Sequence, residues 1–224
     1  MDIDLLYPGA YPMARVALDA GEVITTESGA MVSMTPGLEI TSNMKGGLFK
    51  ALGRKLLAGE SFFQSTVTAH EAGEITLAPS SPGDMIVLDA ENGWTLEKGA
   101  FVAAKGGVEI STKGQGLKKG FLGGEGFFVL RAEGSGPLIA SCYGALHQLD
   151  LEAGQEHIVD NGHLVAWNCE YKIEKATKGW ISSMTSGEGF VCRFTGPGTI
   201  YMQTRNLGSF ASALIPFLPK PSSS

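Results

Sequence analysis

Leu88-Asp89-Ala90, Gly99-Ala100-Phe101-Val102, Val108-Glu109-Ile110 and Gly124-Glu125-Gly126-Phe127-Phe128 form a succession that the chain spells three times. The earlier copy reads Leu18-Asp19-Ala20, Gly29-Ala30-Met31-Val32, Leu38-Glu39-Ile40 and Gly59-Glu60-Ser61-Phe62-Phe63. The later copy reads Leu151-Glu152-Ala153, Gly162-His163-Leu164-Val165, Tyr171-Lys172-Ile173 and Gly187-Glu188-Gly189-Phe190-Val191. From the second copy to the third every landmark moves by 63 residues. From the first to the second the early landmarks move by 70 and the Gly-Glu landmark by 65, so the first copy carries five extra residues between Ile40 and Gly59. A fixed spacing of four landmarks marks an internal repeat.

Within each copy the pattern is that of strands. Polar and apolar residues alternate in Leu38-Glu39-Ile40, Phe63-Gln64-Ser65-Thr66-Val67 and Ile75-Thr76-Leu77, the period of a pleated chain with one covered face. Met85-Ile86-Val87-Leu88 reads as a strand buried on both faces. Turn signals separate the runs at Ser28-Gly29, Pro82-Gly83, Lys98-Gly99, Asn161-Gly162 and Gly196-Pro197-Gly198. Asp160-Asn161-Gly162 reads as a hairpin turn. Each copy holds about six short strands, too few to bury a core well alone. The expected fold is all-β: three pseudo-equivalent repeats, β-sandwich or short double-stranded β-helix in kind, around a pseudo-three-fold axis. The expected boundaries are residues 1–82, 83–146 and 147–210, with an apolar and then disordered tail at 211–224, all packed as one unit.

Composition agrees. The chain has 224 residues, 43% hydrophobic and 18% charged, with 31 Gly against 10 Pro. These values exclude a disordered chain and a coiled coil. A net charge of −6 argues against nucleic acid as a partner. Cys142, Cys169 and Cys192 form no CxxC pair, which removes a zinc ribbon or a thioredoxin-type site. Their odd number fits free thiols in a reducing compartment. No signal peptide and no membrane-spanning helix is expected. The expected location is cytoplasmic, with peripheral membrane contact open.

Gly46-Gly47-Leu48-Phe49, Leu57-Ala58-Gly59-Glu60-Ser61-Phe62-Phe63 and the closing run Phe194-Thr195-Gly196-Pro197-Gly198-Thr199-Ile200-Tyr201-Met202-Gln203-Thr204-Arg205-Asn206 resemble a bacterial family related to the yeast altered-inheritance-of-mitochondria (mitochondrial biogenesis) protein. The resemblance covers roughly residues 10 to 206, and the closing run is its most specific part. It implies a triplicated β fold in which each copy is similar to the tryptophan RNA-binding attenuation protein, a short variant of the double-stranded β-helix. It implies no catalytic residue.

The five-residue excess falls within residues 45–57. There Leu48, Leu52 and Leu56 stack at helical spacing with Phe49 alongside, while Lys50, Arg54 and Lys55 fall largely on another face. This is a short basic amphipathic helix in an acidic chain, fit for a membrane surface or a protein partner. The plainer reading is a helix capping its own barrel with its cations solvated. Fainter echoes occur at Lys113–Leu122 and Lys178–Met184.

Glu60, Glu125 and Glu188 repeat with the fold and can either meet near an axis and hold a cation or each serve a nearby turn. His70, His147, His157 and His163 lack HxH or HExxH spacing. His157 and His163 flank the Asn161-Gly162 turn. Trp94, Trp167 and Trp180 read as core or interface aromatics. Phe210–Pro219 is apolar, and either docks on its own body or reaches a neighbouring subunit.

No catalytic, cofactor or metal residue is assigned. The leading reading is a non-catalytic, homo-oligomeric β scaffold with a basic amphipathic face. The alternative is a small-molecule binding module with sites between repeats. A metal-dependent β-helix enzyme is the weakest reading.

Overall fold

The computed structural model describes residues 1–42, 64–114, 128–175 and 190–219. The chain is predominantly β, as its alternation requires. After an N-terminal strand β1 (Asp2–Leu6) come β2 (Met13–Leu18), β3 (Val23–Glu27), β4 (Met31–Met34), β5 (Leu38–Ser42), β6 (Gln64–Ala69) and β7 (Gly73–Leu77). The next stretch gives β8 (Met85–Asp89), β9 (Trp94–Glu97), β10 (Phe101–Lys105), β11 (Glu109–Gly114), β12 (Phe128–Glu133) and β13 (Pro137–Ser141). The last gives β14 (Leu146–Leu151), β15 (Glu156–Asp160), β16 (Leu164–Trp167), β17 (Glu170–Lys175), β18 (Phe190–Thr195) and β19 (Gly198–Gln203), followed by a helix α1 (Leu207–Leu214).

The strands form four antiparallel sheets, none closed on itself. Two have six strands, ordered β5-β6-β3-β10-β13-β8 and β11-β12-β9-β16-β19-β14. One has four, β1-β2-β7-β4, and one has three, β15-β18-β17. In each stretch the last strand pairs with the first and third, while the fifth pairs with the second and fourth. Each six-stranded sheet is therefore a three-stranded half from one stretch joined to a three-stranded half from the next. At the joints Ala103 pairs with Thr26 and Ala104 with Thr25, and then Ala166 with Leu96 and Trp167 with Thr95.

The core follows this division. One cluster packs Val16, Ile24, Val67, Ile75 and Leu77, and takes in Val102, Ala103 and Ile139 from the following stretch. A second packs Trp94, Leu96, Phe101, Leu130 and Leu138, and takes in Val165, Ala166 and Tyr201. The third, around Trp167, Cys192, Phe194 and Ile200, takes in Val129 from the stretch before it and nothing from beyond. Trp94 and Trp167 are core residues; Trp167 meets Tyr171 and Phe194 edge to face. Trp180 lies outside the described residues.

Three local readings change. Asn161–His163 is a 3-10 turn capped by Asp160, whose carboxylate accepts from Gly162 N at 2.9 Å. It carries the chain from β15 in one sheet to β16 in another, so the two strands do not form a hairpin. Gly162 serves close approach there, since a Cβ would fall 1.9 Å from Asn206 Nδ2. Second, β8 is an edge strand: Met85 and Leu88 are buried but Val87 is exposed, so it is not covered on both faces. Third, the apolar C-terminal stretch starts as helix α1 and passes into a 3-10 turn at Ile215–Phe217, where Pro216 ends α-helical pairing.

Candidate functional site

Two surfaces stand out. The first is a pair of strand edges that no strand among the described residues covers. β4 lies at the outer edge of the four-stranded sheet, and all four of its residues, Met31-Val32-Ser33-Met34, are exposed. Its counterparts in the next two stretches, Phe101–Ala104 and Leu164–Trp167, are buried throughout. A bulge recurs at the same place in all three, between Met31 and Ser33, Phe101 and Ala103, and Leu164 and Ala166. At the bulge Val102 and Val165 are 0% exposed and Val32 is 55% exposed. The other bare edge is β15, whose counterparts β3 and β9 each pair with a strand of the following stretch.

The second surface is an open basin of about 650 Å³ where chain connectors meet, lined by Tyr11, Pro82, Tyr143, His163, Arg205 and Phe210 among others. Gly144 N donates to Pro82 O at 3.1 Å, and Asp84 N to Gly144 O at 2.9 Å, locking the first connector to the second. The closing run locks the second to the third. Gln203 Oε1 accepts from Tyr143 N at 2.8 Å, and its Nε2 donates to Gly162 O at 2.9 Å. Thr204 Oγ1 accepts from Ala145 N at 2.9 Å. Asn206 caps α1 by accepting from Ser209 N at 2.9 Å. His163 Nδ1 donates to Gln203 O at 2.7 Å. Gln203 and Thr204 of the closing run thus hold the connectors together.

A model of the mitochondrial biogenesis AIM24 family matches residues 4–205, a span that ends on this closing run. The chain belongs to that family. A relative in Streptococcus pyogenes serotype M6, described as an uncharacterised protein, is 34% identical over 221 residues, 95% of this chain and 89% of the relative. A crystal structure of a Streptococcus pyogenes protein is similar across 97% of this chain and 98% of its own, with 32% identity and a TM-score of 0.79.

The residues singled out from sequence fare unevenly. Leu48, Phe49, Lys50, Leu52, Arg54, Lys55 and Leu56 lie outside the described residues, as do Glu60, Glu125 and Glu188. His157 sits exposed on β15, His147 exposed on β14, and His70 Nε2 lies 2.7 Å from Glu39 Oε2 at the surface. His163 alone among them reaches the basin. The thiols are buried and free. Burial pushes Cys142 up to about 11 and Cys192 up to about 12, so both thiols stay protonated at neutral pH. Leu207, Phe210, Leu214, Ile215, Phe217 and Leu218 are exposed, with Phe210 lying beside Tyr143 at a ring-centroid distance of 6.0 Å. Among the described residues no helix is long and apolar enough to cross a membrane.

Sequence reasoning missed both surfaces. The signal for β4 was present: Met31-Val32-Ser33-Met34 is apolar at three of its four positions. Arg205 was quoted only as part of a family mark.

Proposed function

We propose that the chain is a non-catalytic building block made of three β repeats, which assembles with copies of itself edge to edge. One observation carries this: the two incomplete sheets are the two halves of a sheet that the chain completes twice. Joining β4 of one subunit to β15 of the next makes a third sheet of the same kind and covers Met31, Val32 and Met34. It also gives the third core the strands that the other two receive from the following stretch. An exposed apolar edge is a liability unless something pairs with it. Because the two edges differ, the contact is head to tail and yields a closed ring when its rotation divides a full turn.

The register follows from the two joints present, which places Ser33 opposite Val159 and Met34 opposite Ile158. In an assembly the basic sequence of residues 45–57 recurs once per subunit. Weak contacts with an anionic membrane or an acidic partner then add up, and charge reversal at Lys50, Arg54 and Lys55 is expected to reduce them in a vesicle-flotation assay.

The test is a cross-link. The double variant Met34→Cys/Ile158→Cys, oxidised mildly, is expected to form covalent chains of subunits on a non-reducing gel, while each single variant does not. A wild-type chain that stays monomeric by native mass spectrometry, with no intermolecular cross-link in the double variant, sinks the reading.

A further inference from the structure

We propose that the connector basin binds a small organic anion carrying one planar apolar ring, with Arg205 holding its charged group. The proposal goes beyond the assembly reading and stands apart from it, since no residue of β4 or β15 lines the basin.

The first argument is charge. Four arginines fall among the described residues. Arg15 pairs with Asp4 and Glu74, Arg131 with Glu133, and Arg193 with Glu174 and Glu156. Among the described residues Arg205 has no carboxylate partner; its guanidinium donates to the carbonyl of its neighbour Thr204, at 3.0 Å. Among the described residues the basin lining contains no Asp or Glu, in a chain with net charge −6. A guanidinium is a fork of donors matched to carboxylate and phosphate oxygens.

The second argument is construction. The stem of Arg205 lies across Gly144, where a Cβ would come within 3.0 Å of Arg205 Cγ and 2.7 Å of Thr204 Oγ1. Gly144 holds a φ of +86°, a conformation that suits glycine, and it is held to Pro82 and Asp84. The residues on either side of Arg205 are fixed by their own hydrogen bonds. The first turn of α1 also faces the basin through Asn206, Ser209 and Phe210, adding its positive end.

The third argument is shape and chemistry. The basin has the volume of a small-molecule site. Tyr143 and Phe210 stand with ring centroids 6.0 Å apart, and Tyr11 and Pro82 complete an apolar wall. His163 gives its Nδ1–H to the Gln203 carbonyl, which leaves Nε2 for a polar group on the ligand. A bare inorganic ion uses none of these aromatic contacts.

Calorimetric titration of the full chain tests the proposal, with phenyl phosphate as probe and inorganic phosphate and benzyl alcohol as references. Phenyl phosphate is expected to bind more tightly than either reference. Arg205→Gln is expected to weaken it by about tenfold or more, and Arg205→Lys by less. Phe210→Ser is expected to weaken phenyl phosphate while leaving inorganic phosphate unchanged. Unaltered melting temperatures identify these as site effects, and the Phe210 variant serves if the Arg205 variants fail to fold. Three results overturn the proposal: no heat with phenyl phosphate, equal binding of benzyl alcohol, or undiminished binding by Arg205→Gln. Equal binding of inorganic phosphate overturns the ring-bearing ligand.

Discussion

Val32 and Val165 occupy the same bulge in the same kind of strand, yet one stands in solvent and the other is fully buried. Nothing in the two strands' own residues accounts for this. Met31-Val32-Ser33-Met34 and Leu164-Val165-Ala166-Trp167 are both apolar and both pair with the last strand of their stretch. The difference lies in what covers the other side: β9 pairs with β16, and among the described residues no strand pairs with the outer edge of β4. Burial in this fold is conferred by the preceding stretch, which makes the first stretch the exception and the third its complement.

The largest effect that tests this contrast is a buried charge. Val165→Asp places an unpaired carboxylate in the second core, and the expected loss is about 3–5 kcal/mol in chemical denaturation. Val32→Asp, at the same position of an exposed strand, is expected to change the dilute subunit's stability by no more than about 0.5 kcal/mol while abolishing self-association. Equal losses for the two variants break the comparison.

An intermediate effect concerns the thiols. Cys192 lies in the core that receives nothing from a following stretch, and Cys142 in the core that does. If a second subunit completes the third core, mass action deepens its protection. Labelling of Cys192 by a thiol reagent is then expected to slow as protein concentration rises, with Cys142 unaffected. Labelling rates independent of concentration at both sites count against the contrast.

The smallest effect is a pH dependence. Glu27 and Glu97 end matching strands, the first before bare β4 and the second before covered β10. Burial pushes both carboxyl groups above the usual range, in Glu97 against the opposing pull of the Gly99 and Lys98 amides. A raised folded-state value means the neutral form is the one that folding favours. The associated stability is full below the ordinary carboxylate range and is lost as pH rises through the folded value. Thermal melts between pH 4 and 8 are therefore expected to show wild type losing ground to Glu97→Gln as pH rises. The variant keeps an acceptor for Gly99 N, which donates to Glu97 at 2.7 Å.

The β class was legible because alternation such as Ile75-Thr76-Leu77 reports one covered face directly, and Ile75 and Leu77 are indeed fully buried. Apolar runs were less informative. Met85–Leu88 and Met31–Met34 look alike in sequence, but edge position leaves Val87 and Val32 exposed, and edge position depends on pairing between distant segments. The Asn161-Gly162 pair suggested a hairpin because such pairs tolerate positive φ. Here Gly162 is required instead by a side chain 44 residues along, Asn206. The basin was illegible for the same reason: Tyr11, Pro82, Tyr143 and Arg205 come from four separate connectors, and only the fold brings them together.

A chain with two unlike open edges has a direction, and that has a genetic corollary. Under the proposed assembly, a subunit spoiled at β4 alone keeps a sound β15, so it still joins one neighbour and then blocks whatever would have come next. In a cell that makes both forms, such an allele disables more assemblies than its share of the subunits and behaves as a dominant. An allele spoiled at both edges joins nothing and behaves as a recessive. The sheet order therefore predicts an inheritance pattern.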